Sequence, residues 1–200
     1  FNLFISTKPG KYSRLSILEK NKLVKTNLVD YFLNSLPKHN LMNYILFDGD
    51  ARNKLLPFTF TRPVADIRVG ILTIREKWEL LLESTTTTVT EAYLSEKWPM
   101  VELEQNVMIN GAYFPSESLL QQIENLKANQ VIVHQDTYVA FLTAEDEEID
   151  LESFDTIEVE EEPLLIENTW DIFSKNGDAI ERDFYWLTKD RASAEIPESV

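Results

Sequence analysis

An apolar run, a polar loop and a helical repeat of apolar positions follow one another in the first half of the chain. Residues 44–47 form the run, and Asp48, Gly49 and Asp50 end it, as is typical of a strand buried on both faces of a parallel sheet. The repeat predicts one long helix that begins near Asp66, whose carboxylate would serve as the N-cap. Its apolar face would consist of Ile67, Ile71, Ile74, Trp78 and Leu81.

The order of strand, loop and helix occurs a second time. Residues 106–111 form an apolar run that ends in Asn110 and Gly111, and Pro115 leads into a helix. Between the two units, residues 86–90 are rich in Thr and predict a strand that pairs beside the first through a right-handed crossover. We therefore expect an α/β fold, a Rossmann-like and mostly parallel sheet flanked by helices, with a site at the carboxyl ends of its strands.

The C-terminal half has a different pattern. Residues 131–133 and 138–142 predict two strands joined by a tight turn, with His134 as polar surface at the end of the first strand. Residues 145–162 carry eleven carboxylates and no Lys or Arg. This composition is typical of a solvated loop and an edge strand.

Two helices are predicted to close the domain. Asn168 or Thr169 can cap the first helix and Gly177 can end it, and a second helix through residues 180–187 follows. Two large side chains of the first helix are expected to be packed in the core: Trp170 and Phe173.

Composition and charge exclude several classes of protein. The chain is 44% hydrophobic and contains no Cys, which excludes a disulfide framework, a thiolate nucleophile and a Cys-ligated zinc site. The whole chain has a net charge of −15. Residues 1–41 contribute +5 to it, so the remaining residues together carry −20. Nucleic-acid phosphates and anionic lipids would repel so acidic a body. We therefore expect neither nucleic acid nor membrane as a partner, and a cytoplasmic location.

The central loop is an exception to this acidic composition, because four basic side chains lie in it or beside it. Basic residues grouped at the carboxyl end of a strand favour an anion site, with phosphate as the ligand. These four residues are Arg52, Lys54, Arg62 and Arg68.

The same loop resembles the signature loop of the sugar-1-phosphate nucleotidyltransferases. In that family an apolar strand leads into a Gly-x-Gly-Thr-Arg turn and then into a Pro-x-Thr-x-x-(Arg/Lys)-Pro-Lys element. The corresponding segments here are LFDGDAR at residues 46–52 and LPFTFTRP at residues 56–63. The resemblance is closest to divergent bacterial members fused to a left-handed β-helix, which are similar to N-acetylglucosamine-1-phosphate uridyltransferases and glucose-1-phosphate thymidylyltransferases.

Two further segments are similar to landmarks of this family. Asn110 and Gly111 correspond to the end of a strand that the family continues with a metal-binding Asp, and residues 168–176 resemble the element that closes its catalytic domain. The chain differs from the family at two chemically important positions. Ala112 replaces the metal-binding Asp, and an aliphatic side chain cannot coordinate Mg²⁺. Val64 replaces the Lys that follows the Arg-Pro pair.

The resemblance implies a reaction of a nucleoside triphosphate with a sugar 1-phosphate, which gives a nucleotide sugar of the UDP-N-acetylglucosamine or dTDP-glucose type and pyrophosphate. Arg52 would hold the triphosphate, Arg62 would substitute for the missing Lys, and substrate phosphates would carry most of the Mg²⁺. We expect removal of Arg52 to weaken binding with little effect on folding. The candidate substrate-binding residues are Asp48, Gly49, Lys54, Arg68, Asn110, Gly111 and Asp171.

The differences at residues 64 and 112 also support an alternative function. The domain would then be a catalytically silent module that binds nucleotide or sugar phosphate and regulates an attached β-helix acyltransferase. Residues 194–200 are similar to the entry of such a hexapeptide-repeat β-helix, through which the protein would form a homo-oligomer.

The chain is expected to contain one domain, residues 42–190, with residues 191–200 as the start of the β-helix. Residues 1–41 differ from it in charge, and Met42 directly precedes the first strand. Apolar positions between residues 23 and 36 permit an amphipathic helix, so this segment is either a partner-docking arm or an extraneous, flexible basic extension. We favour the second interpretation.

The extension hypothesis predicts that residues 1–41 are dispensable for folding. A chain that begins at Met42 should unfold at nearly the same temperature as the full chain. Thermal unfolding of both chains, followed by circular dichroism, measures this directly. A decrease of several degrees, which corresponds to about 1 kcal/mol or more, would contradict the hypothesis.

Overall fold

The structure is a computed structural model that describes residues 42–144 and 149–192. Six strands of the described residues form one sheet. Their bounds are β1 Asn43–Phe47, β2 Thr86–Val89, β3 Gln105–Asn110, β4 Gln130–His134, β5 Thr137–Ala144 and β6 Asp155–Glu158. Five α-helices accompany them: α1 Ala51–Lys54, α2 Ile74–Leu82, α3 Glu117–Glu124, α4 Asp171–Ser174 and α5 Asn176–Thr188.

The sheet has the strand order β2-β1-β3-β5-β4-β6. β1 pairs in parallel with β2 on one side and with β3 on the other, and β6 pairs in parallel with β4. Only β5 runs in the opposite direction, because it pairs antiparallel with both β3 and β4. The predicted α/β fold with a mostly parallel sheet is therefore confirmed, as are the strand beside β1, the β4–β5 hairpin and the helix after Pro115.

Two hydrophobic clusters cover the two faces of the sheet. On the first face, Leu46 and Ile109 pack with α2, α3 and α5 through residues such as Trp78, Ile123 and Ala179. On the second face, residues of β1, β3, β4 and β5 pack with residues 149–154 and Met100. No described α-helix contributes a residue to the second cluster. The five described helices therefore all pack against the first face of the sheet.

The prediction of one long helix from Asp66 is wrong. Residues 64–66 form a 3₁₀ turn, and α2 begins at Ile74 with Thr73 as its N-cap in a capping box with Glu76. Gly70 lies between these two elements at φ +85°. This value is far from helical and is readily adopted by glycine but rarely by a residue with a side chain. Asp66 caps no helix; its carboxylate instead accepts hydrogen bonds from the side chains of Arg75 (2.5 Å) and Trp98.

The helices at the C-terminal end also differ from the prediction. Trp170 and Phe173 are 67% and 88% exposed, so their placement in the core is wrong. α4 is only four residues long, and it is Asp171 that it buries. Gly177 lies inside α5 and ends no helix. The predicted β-helix entry at residues 194–200 lies outside the described residues, as do residues 1–41.

A buried ion pair attaches α5 to α2. The ammonium group of Lys77 donates to both carboxylate oxygens of Asp183, and the two side chains are 1% and 0% exposed. Burial lowers the pKa of Lys77, while Asp183 opposes this decrease. Asp183 also accepts hydrogen bonds from the backbone N–H groups of Ile71 and Leu72, at 2.8 and 3.0 Å. One carboxylate therefore holds both α2 and the segment before it against α5.

Gly70 makes this contact sterically feasible. A Cβ atom at residue 70 would lie 2.6 Å from Oδ2 of Asp183 and 2.9 Å from the carbonyl carbon of Ala179. The backbone N–H of Gly70 also donates to the side chain of Asn176 at 2.8 Å. The close approach to α5 therefore requires glycine at this position.

We predict that Lys77→Ala destabilises the fold by about 3–5 kcal/mol, because it leaves the Asp183 carboxylate buried without its charged partner. Lys189→Ala provides the control, since Lys189 is exposed at the C-terminal end of α5, the helix that carries Asp183. Denaturant unfolding of the two variants measures the difference. Equal stability of the two variants would show that the buried pair does not anchor α5.

Candidate functional site

The loops that follow β1, β2 and β3 meet at the carboxyl ends of these strands. The backbone N–H of Asp48 donates to the carbonyl oxygen of Val89 at 3.1 Å, and that of Gly111 donates to Phe47 at 2.9 Å. After β1 the chain passes to β2 on one side and then to β3 on the other. Ligands of open α/β sheets bind at such a switch point, outside the carboxyl ends of the strands.

Asp48 organises the loops on the β2 side of this position. Its Oδ1 accepts a hydrogen bond from the backbone N–H of Val64 at 2.7 Å. Its Oδ2 accepts hydrogen bonds from Arg52 and from the hydroxyl of Thr90, both at 2.6 Å. Burial raises the pKa of Asp48, and these three hydrogen bonds act in the opposite direction. The carboxylate thus connects the loop after β1 with the loop after β2.

Arg52 is buried at the centre of the same network. Its Nη2 donates to the carbonyl oxygen of Thr59 at 2.7 Å and to the hydroxyl of Tyr93 at 2.9 Å. Its Nε lies 3.6 Å from a carboxylate oxygen of Glu91, and only 9% of the side chain is exposed. The guanidinium group therefore joins both loops. This contradicts the expectation that removal of Arg52 would hardly affect folding, whereas its role toward a triphosphate remains a prediction.

On the β3 side, the predicted substrate-binding residues Asn110 and Gly111 lie close to neighbouring residues of the domain. The Asn110 amide donates to the carbonyl oxygen of Tyr138 at 3.1 Å and accepts from the backbone N–H of Ala112 at 3.1 Å. A Cβ atom at Gly111 would lie 3.1 Å from the Cβ of Ala65. Ala112 is 2% exposed and belongs to the main hydrophobic cluster. This position is part of the core in the present fold.

Lys54 and Asp171 both contact the segment at Glu167. Lys54 lies 3.4 Å from a carboxylate oxygen of Glu167. Asp171 accepts hydrogen bonds from the backbone N–H groups of Glu167 and Asn168, each at 2.9 Å. Burial opposes ionisation of Asp171, but the two backbone hydrogen bonds and Lys175 outweigh it and hold its pKa below the usual value. Asp171 therefore fixes the segment that Lys54 contacts.

The remaining two cations are exposed. Arg68 lies 3.5 Å from Glu76 and donates to the carbonyl oxygen of Ile71, so it is oriented toward the start of α2. Arg62 is exposed, and its side chain has no hydrogen bond or ion pair to another residue of the ranges 42–144 and 149–192. Arg62 follows the segment that Arg52 and Asp48 anchor, so its charge is available to a ligand at the loop surface.

The described residues do not provide a site for Mg²⁺ held by the protein alone. Within them, no group of three or more His, Cys, Asp or Glu side chains could hold a metal ion. Asp48 is occupied by Arg52, Thr90 and Val64, and residue 112 is a buried Ala. Binding of Mg²⁺ together with substrate phosphates remains a prediction.

The sequence did not predict the roles of several residues in this region. Thr90 and Tyr93 follow β2 at the carboxyl edge of the sheet, a position that itself would have indicated them. His134, predicted as polar surface, is 9% exposed, and its Nδ1 lies 3.2 Å from the Tyr113 hydroxyl. The reason is its place at the end of β4, where it meets the loop that follows β3. Sequence spacing does not reveal such a contact.

The chain is an α/β domain with a Rossmann-like sheet, whose loops are joined at the switch point where such sheets bind their ligands. A family model described as sugar nucleotidyl transferase matches residues 44–192, which include five of the six described strands in full and β1 from its second residue onward. The chain belongs to the sugar nucleotidyl transferase family. No curated protein shows a significant match to it. No helix among the described residues is long and apolar enough to cross a membrane.

We predict that Arg52→Ala lowers the free energy of unfolding by about 3–5 kcal/mol, because the buried Asp48 carboxylate then loses its charged partner. The double variant Arg52→Ala with Asp48→Asn should recover part of this loss, since it no longer contains an unpaired buried charge. Denaturant unfolding of the wild type and the variants gives the coupling between the two residues. Additive effects would show that the pair is not the anchor of the two loops.

Proposed function

We propose that this domain transfers a nucleotidyl group from a nucleoside triphosphate to a sugar 1-phosphate, forming a nucleotide sugar of the UDP-N-acetylglucosamine or dTDP-glucose type. Membership of the sugar nucleotidyl transferase family supports the general activity. The single observation that carries the proposal is the meeting of three loops at the switch point, beside the exposed cation Arg62 and the half-exposed Lys54.

The chemistry requires no nucleophile from the protein. A phosphate oxygen of the sugar 1-phosphate attacks the α-phosphorus of the triphosphate, and the bond from that phosphorus to the oxygen bridging to the β-phosphorus breaks. Pyrophosphate leaves with the electron pair of this bond. The protein contributes by holding the reactants in line and by neutralising phosphate charge. Arg62 and Lys54 would neutralise the triphosphate, and Asn110 and Gly111 would line the sugar-phosphate side.

Arg52 has a different role in this proposal from the one that the sequence implied. Because it is bound to Asp48 and Thr59, it would support the loop backbone and act on the phosphates mainly through this loop. Asp171 would act in a similar way. It accepts hydrogen bonds from the backbone N–H groups of Glu167 and Asn168 and so holds in place the residue that pairs with Lys54.

A specific observation favours the silent binding module as the second candidate. Ala65 occupies the space in front of Gly111, and residue 112 is aliphatic and buried. A domain with this arrangement would bind a nucleotide or a sugar phosphate and regulate an attached β-helix acyltransferase without catalysing transfer.

Assays of binding and of pyrophosphate release distinguish the two candidates. The full chain is incubated with UTP or dTTP, with N-acetylglucosamine 1-phosphate or glucose 1-phosphate, and with MgCl₂. Pyrophosphate release that depends on both substrates supports transfer. Calorimetric binding of these compounds without pyrophosphate release would favour the silent module. Absence of both binding and release would contradict both candidates.

We predict that Arg62→Ala weakens binding of the nucleoside triphosphate by about 1.5–3 kcal/mol, the scale of a hydrogen bond to a charged group. Folding stability should not change, because Arg62 is exposed and unpaired within the described residues. Arg182→Ala is the matched control, an exposed Arg on helix α5. Titration calorimetry measures all three proteins, and equal affinities would contradict the phosphate-binding role of this loop.

A further inference from the structure

An exposed aromatic surface lies on the β2 side of the switch point. Tyr93 is 62% exposed, and Phe60 and Phe58 are 58% and 49% exposed. Exposed apolar surface of this kind is often a site of binding. The function proposed above uses only cations and backbone groups, so this surface has no role in it.

Buried contacts hold Tyr93 and the backbone of residues 59 and 60 in place. The Tyr93 hydroxyl donates to the carbonyl oxygen of Phe60 at 3.0 Å and accepts from Arg52 at 2.9 Å. The guanidinium carbon of Arg52 lies 6.0 Å from the centre of the Tyr93 ring. Thr59, between the two Phe residues, is fully buried and bonded to Arg52 through its hydroxyl and its carbonyl. The buried network therefore fixes Tyr93 and the backbone on which the exposed Phe60 ring is carried.

The position of this surface indicates which part of a ligand it would contact. Tyr93 follows Thr90, whose hydroxyl binds Asp48 at the end of β1. Phe60 precedes Arg62, the exposed cation of the same loop. A nucleotide with its phosphates at Arg62 and its sugar acceptor on the β3 side would place its base on the β2 side. Planar bases stack on aromatic side chains.

We propose that Tyr93 and Phe60 form a stacking surface for the base of the nucleoside triphosphate. This inference rests on the proposed function and adds the base subsite to it. Stacking accepts any base because each has a π face, so the surface binds pyrimidine nucleotides without selecting among them. Because the Tyr93 ring is already held by Arg52 and Phe60, its conformational cost of binding is reduced.

The test compares ligands with and without a base. Tyr93→Leu and Phe60→Leu should weaken the binding of UTP and dTTP by roughly 5–150-fold, and Phe60→Leu should leave the affinity for inorganic tripolyphosphate unchanged. Tyr93→Phe keeps the ring and removes the hydroxyl, so it should bind UTP more tightly than Tyr93→Leu. Phe173→Leu is the control, since Phe173 is an exposed aromatic residue on α4. Titration calorimetry measures each affinity.

Phe60→Leu protects the test against a folding defect, because Phe60 contributes its backbone oxygen to the network while its ring is exposed. Unchanged UTP affinity in both Leu variants would overturn the stacking surface and leave the proposed function intact. An equal loss for UTP and tripolyphosphate in Phe60→Leu would also overturn it. A parent chain that binds neither UTP nor dTTP would overturn both proposals. Light scattering that shows loss of an oligomer in the variants, with unchanged UTP affinity, would identify a protein interface instead.

Discussion

The buried Asp48 carboxylate and its contact with Arg52 determine how the carboxyl edge of the sheet is built. A carboxylate that leaves water at this position needs charged and hydrogen-bonding partners. Arg52, Thr90 and the backbone of Val64 supply them from three different segments. The loop after β1 and the loop after β2 are therefore fixed to each other through this one buried group.

A second buried pair performs the corresponding task on the helical face. Lys77 and Asp183 join α2 to α5, and Asp183 also binds the backbone around Ile71. This attachment spans more than a hundred residues of sequence and brings the C-terminal helix against the first crossover. The matched family region ends at residue 192, just beyond this helix. α5 is thus an integral part of the domain, whereas α4 leaves Trp170 and Phe173 in solvent.

The two networks separate structural cations from available ones. Arg52 and Lys77 are buried and paired, while Arg62 is exposed and Lys54 is only weakly paired across 3.4 Å. Charge alone does not distinguish these residues, because all of them belong to the same acidic chain. The proposed recognition of phosphate would therefore depend on cations that the folded loops leave at the surface, such as Arg62.

The sequence by itself determined the order of the strands along the chain, the α/β class and the location of the loop at the end of β1. These follow from local periodicity and from apolar runs such as residues 44–47, which need no knowledge of distant contacts. Tertiary structure alone decided which charged residues are buried, that Gly70 divides the predicted helix and that Trp170 is exposed. Each of these depends on a partner far away in sequence, as Asp183 is from Gly70, and spacing along the chain carries no information about such partners.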